Sequence, residues 1–443
     1  MKIIPSISLK NISIRLRERV TATPFSVFRA VFGLLMAFGA VRFIWLGWIE
    51  DHYVDPVFHF KYYGFGWVVP FSAPVLYGIH YVMILSAFGV MLGTKWVFRL
   101  SAVLLFLTFT YTELIDLTYY LNHYYFVSIV CALLCIVPSP PAIWNTHARI
   151  PRWVIVIFQV QIAIVYVYAG LAKINYDWLI NALPLKIWLP AHDDIPIIGP
   201  LFTWAITPYL FSWFGMLYDT LIVFFLLYRP TRIYAYLTVI VFHTLTGLLF
   251  QIGIFPLVMI GSTLIFFDFG RNSDGILPAA DRTSPRERIV LAVLVLHVAF
   301  QLLFPWRFLL YDGNLFWTEQ GYRFGWRVML MEKAGTATFY VKDSQTGREG
   351  IVDNSEFLNP HQEKQMAMQP DMILQFAHFL GDHYAQKGVH KPEVRAEVYV
   401  TLNARPSQLL LDPTVDLMKE SDSFKAKKWI LPYKTNTEDV VYP

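Results

Sequence analysis

A chain of 443 residues that is 56% hydrophobic and 17% aromatic, with only 15% charged residues and a mean hydropathy of +0.45, cannot have water as its only solvent, because soluble domains carry roughly a quarter charged residues. The net charge of +4 comes without a basic arm of interleaved aromatics, so no nucleic-acid partner is indicated. The two cysteines, Cys131 and Cys135, stand four apart in one apolar run, which leaves no disulfide framework and no cysteine metal site.

Residues 1–25 carry Lys2, Lys10, Arg15, Arg17 and Arg19. No short apolar core with a small-residue cleavage site follows, so the segment reads as a cytosolic tail rather than a removed signal. A bilayer core needs about 20 mainly apolar residues per helix. Nine stretches qualify, at about 26–47, 74–93, 100–118, 123–138, 153–173, 207–228, 233–250, 253–268 and 289–305. Residues 26–305 are therefore predicted to form a membrane α-helical bundle of about nine transmembrane helices, with the lipid bilayer as its first partner. The fourth and eighth stretches are short enough to be tilted, broken or buried by their neighbours.

Charge placement sets the orientation. With an inside N-terminus, the inner segments hold the five cations just named, then Lys95 and Arg99, Arg149 and Arg152, Arg229 and Arg232, and Arg271, Arg282, Arg286 and Arg288, fifteen in all, whereas the outer connections hold only Lys61 and Lys186. That asymmetry puts the N-terminus in the cytosol and, after nine spans, the C-terminus outside. A bacterial inner membrane suits it, and an endoplasmic reticulum membrane is topologically equivalent.

From about residue 306 the composition becomes that of a soluble domain, so 306–443 is predicted to be extracytosolic, β-rich and sandwich-like. Thr336–Val341, Gly350–Val352, Val394–Leu402 and Gln408–Leu411 read as strands, with Asp343 to Gly347 as a hairpin turn. One amphipathic helix is expected at about 368–387. The outer connections at 48–73 and 174–206 are long and aromatic and are expected to cap the bundle.

Ionisable groups at membrane depth are expensive and usually functional. Five stand out: Asp116, His123, Lys173, Asp219 and His243. Each also has an ordinary reading. A lysine at a helix end snorkels to the headgroups, a lone histidine is a satisfied core residue, and a buried aspartate bonds a neighbouring helix. Local pattern alone leaves the function open.

Several longer motifs stand in one order. They are Asn122-His123 with Asp116 upstream, Gln161-Ile-Ala-Ile-Val-Tyr166, Ala169-Gly-Leu-Ala-Lys-Ile-Asn-Tyr-Asp-Trp178, Phe242-His-Thr-Leu-Thr-Gly-Leu-Leu-Phe-Gln-Ile-Gly-Ile-Phe255, Trp317-Thr-Glu-Gln-Gly-Tyr-Arg-Phe-Gly-Trp326 and Asp412-Pro413. From about Arg29 to residue 434 this series resembles the vitamin K-dependent gamma-glutamyl carboxylase family, in a bacterial form. The resemblance implies an enzyme of the carbon-carbon lyase class in which Lys173 is the catalytic base, with His123 and His243 bonding the quinol oxygens or a developing oxyanion. Asn122, Tyr166, Tyr322 and Phe255 are implied as cofactor-binding, and Trp317, Tyr322 and Trp326 as substrate-binding.

The implied reaction couples oxidation of vitamin K hydroquinone, or a related menaquinol, to carboxylation of glutamate in a peptide or protein, with O2 and CO2 as co-substrates. A γ-hydrogen of glutamate is too weakly acidic for any side chain to remove, so the oxygenated quinol must supply the strong base and leave as its epoxide. An amine serves as a base near neutral pH only where an apolar pocket or a neighbouring cation favours its uncharged form. A carboxylate beside Lys173 would hold the proton on, so neither Asp116 nor Asp219 is expected to pair with it. No metal is expected, since His378 and His383, five apart, fall on different helix faces. Gly321 and Arg323 depart from the animal pattern where glutamate handling is expected. A quinol epoxidase that lacks protein carboxylation therefore stays open beside the carboxylase, as does a non-enzymatic membrane ligand-binding protein.

Overall fold

A computed structural model describes residues 9–145, 147–250, 252–269, 276–278 and 284–434. Lys2, Gln251, Arg271 and Arg282, which the sequence reading used, lie outside the described residues. Among the described residues, seven helices are long and apolar enough to cross a membrane. They are α1 (Thr23–Trp45), α2 (Ala73–Leu92), α3 (Lys95–Ile115), α5 (Arg152–Ala172), α6 (Thr207–Leu227), α7 (Arg232–Leu249) and α9 (Pro285–Leu303). Two shorter apolar helices, α4 (Asn122–Ile136) and α8 (Phe255–Thr263), occupy the fourth and eighth predicted stretches. The protein is a multi-pass membrane helical bundle.

Small residues let these helices close up, as membrane packing without a hydrophobic drive requires. A Cβ at Gly33 of α1 would stand 2.6 Å from the Ala87 carbonyl of α2, and one at Gly170 of α5 would stand 2.6 Å from the Thr220 nitrogen of α6. Phe25, Phe28 and Phe158 fill the interior and are almost fully buried, with the Phe28 and Phe158 ring centroids 4.8 Å apart. Leu34, Phe38, Leu85, Phe224, Val295 and Leu296 point outward, exposed, which suits a lipid-facing surface. The Arg29 guanidinium is buried and donates to the carbonyls of Val90 (2.8 Å), Gly93 (2.8 Å) and Pro141 (3.0 Å). It satisfies carbonyls at the end of α2 that have no partner within their helix.

The C-terminal part is built on one antiparallel sheet of four strands, β1 (Lys333–Lys342), β2 (Glu349–Ile351), β3 (Glu393–Leu402) and β4 (Gln408–Leu409), in the order β2-β1-β3-β4. Lys333 pairs with Leu402 and Lys342 with Glu393 along the central pair. The β-rich domain is present, but the layer facing the sheet is helical and not a second sheet. The helix α11 (Pro370–Gln386) brings Phe376, Ala377 and Leu380 against Phe339, Val398 and Val400. Its apolar residues recur at helical spacing, so that stretch covers the sheet as a helix. The preceding α10 (Pro360–Met366) starts with a capping box between Asn359 and Gln362.

Domain and bundle are bolted together at several places, three of them as follows. Phe60 and Tyr62, from the connection after α1, enter the core of the soluble domain, and the Lys61 backbone exchanges two hydrogen bonds with the Gln375 side chain at 2.8 and 3.0 Å. Asp116, one residue past α3, accepts from Gln362 Nε2 at 2.7 Å. Asp177, four residues past Lys173, accepts from Arg405 Nη1 at 2.8 Å and Asn403 Nδ2 at 2.9 Å.

Candidate active site

Lys173 caps the C-terminus of α5. Its ammonium does not snorkel: the side chain is 7% exposed, and Nζ lies 2.7 Å from Asp219 Oδ2, 3.3 Å from the Ala169 carbonyl and 5.3 Å from the centre of the Trp178 ring. The Asp219 side chain is 8% exposed. This corrects the expectation that no carboxylate pairs with the amine. The reason is steric: Gly170, one turn before Lys173, lets α5 touch the backbone of Thr220, and that contact sets Asp219 opposite the amine. Asp116 does not take part, since its carboxylate is engaged by Thr118 and Gln362.

The pair faces a cavity of about 100 Å³ whose wall is largely aromatic. Tyr166 and His243 stand on one side, with Tyr166 Oη 2.9 Å from His243 Nε2. The other ring nitrogen, Nδ1 of His243, is buried and has no hydrogen-bond partner among the described residues. Trp178, Trp188, Phe250 and Phe255 supply apolar wall, and Val328 and Met329, from the loop before β1, roof it. Trp178 is held by its own indole N–H, which donates to the Ser212 carbonyl at 2.8 Å.

His123 is buried but lines a different space. Its ring centre lies 5.1 Å from that of Phe255, and Phe255 lies 5.7 Å from His243 on the other side. One phenylalanine thus stands between the two histidines. His123 opens instead onto an inner cavity of about 50 Å³ shared with Glu113 and Tyr124, and onto a vestibule of about 680 Å³ that runs up to His361 and Gln365 of the soluble domain.

The remaining predicted residues fall in structural positions. The Asn122 amide donates to the Arg327 carbonyl at 2.7 Å and its oxygen accepts from Tyr120 Oη at 3.1 Å. Both ends of the side chain are engaged, so Asn122 anchors the loop that roofs the cavity. Trp317 is fully buried in the soluble core, with its indole N–H donating to the Leu431 carbonyl at 2.8 Å. Trp326 is fully buried and stacks on Tyr125 at 4.9 Å. Tyr322 packs its ring 6.2 Å from Phe316, and burial pushes its hydroxyl upward. None of these three lines the Lys173 cavity. Arg323 is tied to Asp371 and Gln369.

The sequence reading did not single out Glu113. Its signal was a carboxyl inside the third apolar stretch, three residues before Asp116. Among the described residues no group of three His, Cys, Asp or Glu side chains is set to hold a metal ion.

Known proteins resemble the chain in both parts. Residues 18–270 match the family described as HTTM domain, and residues 286–436 match the family described as vitamin K-dependent gamma-carboxylase, lumenal domain. No solved structure gives a significant match.

Proposed function

Because the chain belongs to the vitamin K-dependent gamma-carboxylase family, we propose that the Lys173 cavity binds an isoprenoid hydroquinone, vitamin K hydroquinone or a menaquinol, and couples its epoxidation to carboxylation of glutamate in a peptide or protein. The observation that carries this reading is the buried Lys173–Asp219 pair, 2.7 Å apart, facing an apolar cavity lined also by His243, whose Nδ1 is buried and has no hydrogen-bond partner among the described residues. An apolar wall with a few convergent polar groups is what a quinone ring needs. When bound, the hydroquinone, with O2, supplies the strong base that no side chain can provide.

The pair solves a charge problem. A dry site penalises any step that leaves net charge behind. Whether the pair rests as ammonium and carboxylate or as amine and carboxylic acid, it holds the same protons and is neutral. Taking up one more proton leads in both cases to the same state, an ammonium beside a carboxylic acid. That single positive charge offsets the negative charge left where the proton came from, so the site as a whole stays neutral. Asp219 therefore does not cancel the base; it stores the proton. His243, with Nε2 held by Tyr166, offers Nδ1 to an oxygen in the cavity, and a preorganised partner of this kind is typically worth about 2.7–4 kcal/mol.

The sequence's charge asymmetry supports a cytosolic N-terminus and a soluble domain outside the membrane, so a peptide substrate arrives through the vestibule side. Quinol epoxidation without carboxylation is the second reading, and one observation favours it: Trp317 and Trp326 are buried and Arg323 is locked to Asp371, in the stretch expected to handle glutamate. Purified protein given reduced vitamin K, labelled bicarbonate and a glutamate peptide separates the readings. Epoxide with fixed label supports coupling, epoxide alone supports the second reading, and neither product overturns both.

A further inference from the structure

We propose that Glu113 is the carboxylate that hands the reaction's proton to outside water. This rests on the proposed function and extends it to a step that the Lys173 cavity does not accomplish. Carboxylation breaks a C–H bond, leaves its electron pair on carbon, and uses that pair to form the C–C bond to CO2. The new group is a carboxylate, so one proton per turnover must reach bulk water. The Lys173–Asp219 pair is buried and must also be reset before each cycle.

Glu113 is placed for the transfer. It lies near the outer end of α3 and lines three spaces at once: the inner cavity with His123, the vestibule of about 680 Å³, and a lateral cleft of about 580 Å³ that reaches Arg307 and Lys427. It is half-buried. Four other largely buried carboxylates have fixed partners: Asp219 has Lys173, Asp116 has Thr118 and Gln362, Asp371 has Arg323, and Glu319 has Lys333; Asp51 and Asp55, which also line the vestibule, are exposed. Glu113 shows no hydrogen bond and no ion pair among the described residues. Arg42, which lines the inner cavity and the vestibule with it, stacks its guanidinium 4.5 Å over Trp48. A carboxyl at membrane depth without a partner costs stability unless it works, and a carboxylate open to both water and His123 can accept a proton and release it.

The Lys173 cavity and the vestibule share Ile252 as a wall, and Phe255 parts His243 from His123. The proton's way out would run from the pair, past the 252–255 wall, to Glu113 and the vestibule.

Glu113→Gln in the full-length protein tests this. The expected result is a fall of 10-fold or more in turnover with the KM for quinol unchanged, and recovery on adding millimolar formate or imidazole, small acceptors that the vestibule admits. A variant that turns over like the unmodified chain, or a loss that neither additive relieves, overturns the inference. A second readout needs no turnover. A water-soluble carbodiimide with glycine methyl ester, followed by peptide mass spectrometry, should modify Glu113 in the intact protein, and a Glu113 that stays unmodified shows that water does not reach it. An unmodified chain that forms no epoxide sinks the proposed function and this step with it. An active chain whose Glu113 fails these tests sinks this step alone.

Discussion

Lys173 Nζ and Asp219 Oδ2 lie 2.7 Å apart with both side chains less than a tenth exposed, so the base of the proposed reaction is a pair and not a lone amine. Pairing buried charges is costly as a means of stability; in the proposed reaction the pair gains one positive charge on storing a proton, which offsets the negative charge left on the quinol.

Asp219→Asn separates the store from the base. The amide oxygen still accepts from the amine but cannot take a proton, so only the neutral-amine route remains. Epoxide formation should fall about 10- to 100-fold with little change in quinol KM, less than the loss expected on removing the amine itself. A variant as fast as the unmodified chain would show that Asp219 only positions the lysine.

His243→Ala removes a ring that lines the cavity and whose Nδ1 has no hydrogen-bond partner among the described residues. Loss of one preorganised partner typically costs about 10²–10³-fold in turnover, and steady-state epoxide assays read it. Tyr166→Phe leaves the ring in place and frees only Nε2, so its loss should be about 10-fold or smaller. Equal losses in the two variants would point to a packing role for His243.

Asp116 gives a stability test with a definite sign. Burial pushes its carboxyl up to about 6 against bonds from Thr118 and Gln362 that hold it down, and His59 beside it is kept neutral because burial lowers its imidazole to about 4. The folded value lies above the unfolded one, so this contribution is full below the unfolded carboxylate value and is lost as pH rises through about 6. The unfolding free energy of detergent-solubilised protein should therefore carry a component that falls by roughly 1–2 kcal/mol between pH 5 and pH 7.5, read as a falling melting midpoint. Asp116→Asn, which cannot ionise, should abolish that component.

Much of this fold was legible from composition. The nine apolar stretches and the four strands need only local pattern, and the two short stretches, 123–138 and 253–268, appear as the short helices α4 and α8. Of the candidate site, Lys173 and His243 were legible through motifs that resemble the family's, and their roles belong to the proposed function. Asp219 lies 46 residues from Lys173, and what joins them is the Gly170–Thr220 contact, which no single-helix pattern reveals. The expectation that Asn122, Trp317 and Trp326 contact ligands rests on the family resemblance alone. In the structure their polar atoms or faces are taken up by Arg327, Leu431 and Tyr125.

Asp177 tests the coupling between site and soluble domain. Burial pushes its carboxyl up, but the bonds from Arg405 and Asn403 outweigh it and hold the group below the usual carboxylate range. Asp177→Ala leaves Arg405 without this partner and should destabilise the protein by on the order of 3 kcal/mol. Limited proteolysis should then cut the 174–206 connection faster. Unchanged cleavage would mean that other contacts suffice to hold the cap.

The central claim is most directly tested by Lys173→Met, with epoxide formation and quinone binding measured on the same preparation. Methionine keeps the apolar stem and removes the proton acceptor, so binding should persist while epoxide falls by about 10²–10⁴-fold. Undiminished epoxide formation in that variant would contradict the account, because the proton would then be taken by a group other than the Lys173–Asp219 pair.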